Sequence, residues 1–65
     1  MAIAVINQTW ADNHYAAEMQ CDSLTDVAKL PEYAKKYKIG LGSTCLCNQT
    51  SDVYAANSDG TWTVL

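Results

Sequence analysis

The stretch "DSLTDVAKLPEYAKKYKIG", residues 22–40, decides the fold, because the patterning of the chain changes there from strand to helix. Ser23 followed three residues later by Asp26 indicates a capping box, with Asp in place of the usual Glu or Gln. The carboxylate also suits the positive end of a helix dipole. Apolar side chains follow at helical spacing: Leu24, Val27 and Ala28. Pro31 ends this helix or opens a second one, so the segment predicts one or two short helices.

The first residues of the chain, "AIAVINQTW" at 2–10, alternate as a strand does. Ile3, Val5 and Asn7 are expected on one face. The opposite face carries Ala4 and Ile6. Because both faces begin apolar, we expect a strand that is covered on both sides or lies at a subunit contact.

A second strand is predicted over "HYAAEMQC", residues 14–21, after a turn at 11–13. Its odd-numbered positions form a mostly apolar face and its even-numbered positions a mostly polar one. A helix over 14–20 is the alternative.

The C-terminal part of the chain predicts a strand in "STCLCNQT", residues 43–50, and a hairpin in "SDVYAANSDGTWTVL", residues 51–65. In "NSDG", at 57–60, the residue types suit a type I turn followed by Gly60 in the left-handed conformation, which gives a bulge. These strands predict a three-stranded antiparallel meander at the end of the chain.

The turn type also sets the register of the hairpin. A type I turn with a bulge gives these pairs: Asn57 with Thr61, Ala56 with Trp62, and Tyr54 with Val64. Tyr54, Trp62 and Val64 then share one face. A two-residue Asp-Gly turn would instead place Trp62 on the side of Val53 and Ala55. We predict the first register, and with it a shared aromatic face.

The resulting prediction is an α+β fold in a single small domain, residues 1–65. It has an antiparallel β-sheet, a C-terminal hairpin and one or two short helices. A chain of this length buries only about 60% of its unfolded surface, so its own core is marginal. Small scaffolds commonly rely on disulfides, metals or partner subunits.

Composition and charge narrow the classes of function. Hydrophobic residues make up 49% and charged residues 17% of the chain, which is typical of an ordered domain. The net charge is -3, there is no Arg, and all four lysines lie within 29–38. Such a chain is poorly suited to binding a phosphate backbone, so we expect no nucleic-acid partner.

No apolar run approaches the roughly 20 residues that span a bilayer, and the start of the chain resembles a strand more than a signal peptide. We therefore expect synthesis and folding in the cytoplasm, without membrane insertion.

Three cysteines are the candidate metal or redox groups: Cys21, Cys45 and Cys47. An odd number without a signal peptide argues against a disulfide framework. C-x-C is not the usual zinc knuckle, and His14 is the single histidine. We interpret the cysteines as small buried side chains and expect no cofactor. A redox or zinc site is the alternative.

A catalytic constellation is not indicated by the sequence. A nucleophile pair would need His14 beside a cysteine, and nothing in the spacing brings them together. The carboxylates lie at predicted caps and turns, where Asp is favoured for hydrogen bonding to the main chain. We therefore predict a protein that is not an enzyme.

The order "CDSLTDVAKLP" and then "KIGLGSTCLCNQTSDVYAANSDGTWTVL" resembles small modules of bacteriophage virion proteins, of the head-fibre, tail-fibre and capsid-decoration kind. The resemblance covers residues 21–65. The matching positions are Ser23, Asp26, Leu30, Pro31, Gly42, Ser43, Val53, Tyr54, Asn57, Ser58, Gly60 and Trp62.

This resemblance implies a structural virion component made in the host bacterial cytoplasm, with capsid or fibre proteins as partners. A homo-oligomer is expected on physical grounds, because a small chain whose first strand is apolar on both faces is stabilised by its neighbours. The expected interaction residues are Tyr54, Trp62, Val64, Ile3 and Val5. The alternative is a small monomeric module that binds carbohydrate or peptide through the Tyr54/Trp62 face, since aromatic rings give large contact areas at low entropic cost.

Overall fold

The computed structural model describes residues 2–65 as one five-stranded sheet with two short helices. Its elements are β1 (Ile3–Ala11), β2 (His14–Cys21), α1 (Leu24–Val27), α2 (Leu30–Tyr37), β3 (Thr44–Cys47), β4 (Asp52–Ala56) and β5 (Trp62–Val64). The α+β prediction is confirmed, with two helices rather than one. Residues 14–21 form a strand, so the alternative of a helix over 14–20 is wrong.

The strands follow one another across the sheet in chain order, β1-β2-β3-β4-β5. Three neighbouring pairs are antiparallel, and the β3-β4-β5 meander predicted for the end of the chain is confirmed. The pair β2-β3 is parallel. The reason is that both helices lie between these strands in the chain. Such a helical crossover carries the chain back to the end of the sheet at which β2 begins, so β3 runs in the same direction as β2.

The C-terminal hairpin has the predicted register. Ala56 is opposite Trp62 and Tyr54 is opposite Val64. The N–H of Asn57 donates to the carbonyl of Thr61 at 2.8 Å, and the N–H of Gly60 donates to the carbonyl of Asn57 at 3.2 Å. Gly60 has φ +91°, the left-handed conformation that the bulge requires. Local turn chemistry therefore fixes which face each aromatic residue occupies.

Both helices pack on one face of the sheet, and the core lies between the helices and the sheet. The buried cluster consists of Ala17, Met19, Cys21, Leu30, Ala34, Ile39, Cys45 and Cys47. Leu30, at the start of α2, has no exposed surface. The opposite face of the sheet has no helix over it, and Leu46 on that face is 38% exposed. We call these two faces the helix face and the open face.

Asp26 is a buried carboxylate that joins three parts of the chain. Its Oδ1 accepts the N–H of Ala2 at 3.1 Å, and its Oδ2 accepts the N–H groups of Asp22 and Ser23 at 3.2 Å each. The predicted capping box is present at the start of α1. Burial alone raises the pKa of Asp26, but the three N–H donors outweigh it and hold the pKa below its ordinary value.

Because the folded pKa of Asp26 lies below the unfolded value of about 3.9, the carboxylate stabilises the fold above that pH. The stabilisation is lost as the pH falls through the folded pKa. We expect Asp26→Asn to lower the denaturant midpoint at pH 7, because an amide presents an NH₂ group where N–H donors converge. The variant should also lose less stability than wild type between pH 7 and pH 3.

The measurement is chemical unfolding followed by far-UV circular dichroism at both pH values. Asp12→Asn is the matched control, since Asp12 lies in the exposed β1-β2 turn with φ +53°, a conformation that Asn tolerates. A wild-type midpoint in Asp26→Asn at pH 7 would contradict a stabilising role for this carboxylate.

Candidate interaction surface

Strand β1 lies almost entirely outside the cover of the helices. Of its nine residues, only the two at its ends are half-buried, and the others are exposed. The exposed fractions of its large apolar side chains are 64% for Ile6, 51% for Trp10 and 37% for Val5. Scattered exposed apolar residues are ordinary, but three on one strand form a candidate contact surface.

The predicted contact residues Ile3 and Val5 lie on the helix face, opposite Cys21 and Met19 of β2. Ile3 packs against the buried cluster, whereas Val5 is exposed. The expectation that β1 is covered on both sides is therefore wrong for this chain alone, and its position at a subunit contact stays a prediction.

A bulge between Val5 and Asn7 interrupts β1. Beyond it Asn7 is opposite Glu18 on the open face, so the prediction that Asn7 shares a face with Ile3 and Val5 is wrong. Gln8 and Trp10 occupy the helix face instead. The alternation in the sequence gave no sign of the extra residue, because a bulge shifts the pattern by one position without changing residue types.

The free edge of β1 has no charge and no proline over residues 2–11. Natural sheets usually block an edge strand with charged side chains, proline, a bulge or short length. This strand has nine residues and, of these devices, carries the bulge. The other edge of the sheet is the three-residue β5. The long, uncharged edge of β1 is therefore the more available of the two for strand pairing.

The second predicted surface is the face that carries Tyr54, Trp62 and Val64. Both rings are half-buried and pack against the buried cluster, while Val64 is 51% exposed. Burial raises the pKa of the Tyr54 hydroxyl. Much of the aromatic surface is thus used in packing against the core of the molecule.

We expect Trp62→Ala to lower the free energy of unfolding by up to about 3 kcal/mol, at or below the low end for a fully buried aromatic residue, because Trp62 is only partly buried. Ser58→Ala, at an exposed position in the turn of the same hairpin, should change it by less than about 0.5 kcal/mol. Urea unfolding followed by circular dichroism measures both. Equal stability of Trp62→Ala and wild type would contradict the packing role of this ring.

All three cysteines are free, buried and part of the core cluster. Cys21 and Cys47 are opposite each other across the parallel β2-β3 pair. Burial, together with the neighbouring thiols, raises the pKa of Cys21 to about 12, and burial likewise raises that of Cys45. Burial works in the same direction on Cys47, but hydrogen bonds from the Thr50 hydroxyl and main chain lower its pKa.

The three cysteines lie close together in the core. Within residues 2–65 there is no group of three or more His, Cys, Asp or Glu side chains placed to hold a metal ion. His14 is hydrogen-bonded elsewhere, through Nε2 to the carbonyl of Leu41 at 2.9 Å and through Nδ1 to Oδ1 of Asn13 at 2.8 Å.

We expect the thiols of the folded protein to react with a thiol reagent such as Ellman's reagent only as fast as the core opens, since none of the three is exposed. Unfolding in guanidinium should release all three at once. The absorbance of the released thiolate measures the rate. Fast reaction of one thiol in the native protein would instead favour the redox alternative.

All four lysines of the chain are solvent-exposed: Lys29, Lys35, Lys36 and Lys38. Lys36 places its Nζ 5.4 Å from the centre of the Tyr37 ring, and Tyr37 in turn contacts Tyr33 with ring centres 4.7 Å apart.

In the part of the chain that the structure describes, neither helix has the length and apolar character of a bilayer span.

Comparisons with protein-family models, with curated protein sequences and with solved structures find no match to this chain.

Proposed function

We propose that this chain is a non-enzymatic structural protein of a bacteriophage virion, a minor component or decoration protein that works by assembly with neighbouring subunits. The observation that carries the proposal is the exposure of β1, a nine-residue strand without charge whose apolar side chains lie outside the core of the molecule.

The energetics of a small domain support assembly. Burying a large apolar side chain completely contributes about 1.5–3 kcal/mol, and Ile6 and Trp10 are both more than half exposed in the single chain. A domain of this size has only a marginal stability of its own. Contact with a neighbouring subunit along β1 therefore stabilises the fold and the assembly together.

The virion context rests on the sequence resemblance. Its motif positions form the capping box at Ser23 and Asp26 and the turn that ends at Gly60. The proposed partners are capsid or fibre proteins and further copies of the chain, met in the cytoplasm of the host bacterium, where virions assemble.

The half burial of Tyr54 and Trp62 favours assembly over the alternative of a monomeric carbohydrate- or peptide-binding module. A sugar platform needs an open ring face, and these rings face the buried cluster. Their contribution is to the core.

Light scattering of the purified chain over a wide concentration range, with and without reductant, tests the proposal. We expect a defined oligomer that persists in reductant, because the thiols are free and buried. Ile6→Lys should weaken the oligomer at least tenfold, since it places a charge on the exposed strand. Leu65→Lys is the matched control, because Leu65 is 78% exposed and follows β5 at the opposite edge of the sheet, and this variant should keep the wild-type mass.

A wild-type chain that stays monomeric at every concentration would contradict the proposal. An oligomer that is lost on reduction would point instead to intermolecular disulfides.

A further inference from the structure

The hydrogen bonds of β2 reveal which main-chain groups of β1 face away from the sheet. The N–H of Tyr15 donates to the carbonyl of Lys38 at 2.7 Å, and the carbonyl of Tyr15 accepts the N–H of Gly40 at 3.0 Å. Both groups of Tyr15 are therefore turned away from β1. Trp10 is opposite Tyr15, and in a non-hydrogen-bonded antiparallel pair both residues direct their groups outward. The N–H and carbonyl of Trp10 thus lie on the free edge.

The same argument applies two residues earlier in β1. The N–H of Ala17 donates to Oγ of Ser43 at 2.9 Å, on the side away from β1. Gln8 is opposite Ala17, so its main-chain groups also lie on the free edge.

At the other end of β1 the N–H of Asp22 donates to the carbonyl of Ala2 at 3.3 Å, so these residues form a hydrogen-bonded pair. Because inward and outward residues alternate along a strand, Ile3 and Val5 direct their main-chain groups outward. The free edge thus offers the main-chain groups of four residues: Ile3, Val5, Gln8 and Trp10.

The spacing of this set selects the partner. The bulge opens a three-residue step between Val5 and Gln8, whereas the flanking steps are two residues each. The set is therefore symmetrical about the point between residues 6 and 7. A regular strand matches only the groups on one side of the step, because its own outward groups recur every two residues. A second β1 running antiparallel carries the same step and matches all of them.

Side chains and charge agree with this pairing. It places Ile3 opposite Trp10 of the second copy, and Val5 opposite Gln8, all on the helix face. Residues that are directly opposite contact each other across a strand pair, so the indole, 51% exposed in the single chain, gains an apolar neighbour. Although each chain has a net charge of -3, no ionisable side chain lies within residues 2–11 to oppose the contact.

We infer that β1 pairs with β1 of a second copy of this chain, antiparallel and about a two-fold axis between residues 6 and 7, so that two sheets join into one of ten strands. The inference rests on the proposed assembly function and names its partner and register. Both helix layers then lie on the same side of the joined sheet.

Proline at position 8 tests the edge directly, because it removes an N–H that faces outward and leaves the β1-β2 hydrogen bonds in place. We expect Gln8→Pro to be a folded monomer by circular dichroism and light scattering at concentrations where wild type is a dimer. Val64→Pro is the matched control. Val64 lies on β5 between residues bonded to β4, as the N–H of Leu65 donates to the carbonyl of Val53, so its own N–H faces the other edge. This variant should remain dimeric.

A spin label on Thr9→Cys measures the register without disturbing the edge, since Thr9 directs its side chain to the exposed open face and the natural thiols are buried. The inferred register separates the two labelled Cα atoms by about 17 Å, five steps along the strand, whereas parallel in-register pairing would bring them to about 5 Å. Two results would overturn the inference and leave the assembly proposal standing. One is a dimer in which the distance between the labels differs from the inferred value, and the other is a folded Gln8→Pro variant that remains a dimer. A monomeric wild type overturns both.

Discussion

The buried carboxylate of Asp26 is the interaction on which the rest of this structure depends. It binds the N–H groups at the start of β1, after the end of β2 and at the start of α1, all within 3.2 Å. A carboxylate as deeply buried as that of Asp26 is stable only while such donors stay in place. The chain must therefore leave the sheet at Asp22 and begin a helix at once. This exit makes the crossover to β3, and hence the parallel β2-β3 pair, the natural continuation.

The shortness of that crossover explains which part of the sheet is covered. Two helices of four and eight residues cover the central strands, where the buried side chains of β2 and β3 lie. They do not reach over β1, whose middle is exposed on both faces. The short crossover that allows a 65-residue chain to close a core leaves the middle of its first strand exposed. Fold and proposed function are in this sense two results of one geometric limit.

Sequence reasoning succeeded where the determinants are local. The turn at 57–60 and the cap at Ser23 were predictable, because a few adjacent residues fix their hydrogen bonds, and the hairpin register followed from the turn type. Long-range features were not predictable. The parallel β2-β3 pair depends on how the helices return the chain, and it is this pair that brings Cys21 beside Cys47. The bulge in β1 depends on pairing with β2 and leaves no local signal, so the exposure of Trp10 on the helix face was also missed.

The bulge both limits strand pairing at the free edge of β1 and makes that pairing specific. A flat nine-residue edge without charge would pair with almost any extended chain, since main-chain hydrogen bonds do not discriminate between sequences. The three-residue step between Val5 and Gln8 breaks the regular spacing of outward groups, so a generic strand leaves some of them unpaired. Unpaired groups at a contact are costly, which disfavours the wrong partner more than it weakens the right one. This irregularity is therefore a barrier to indiscriminate pairing, and in the inferred register it is matched by a second copy of β1.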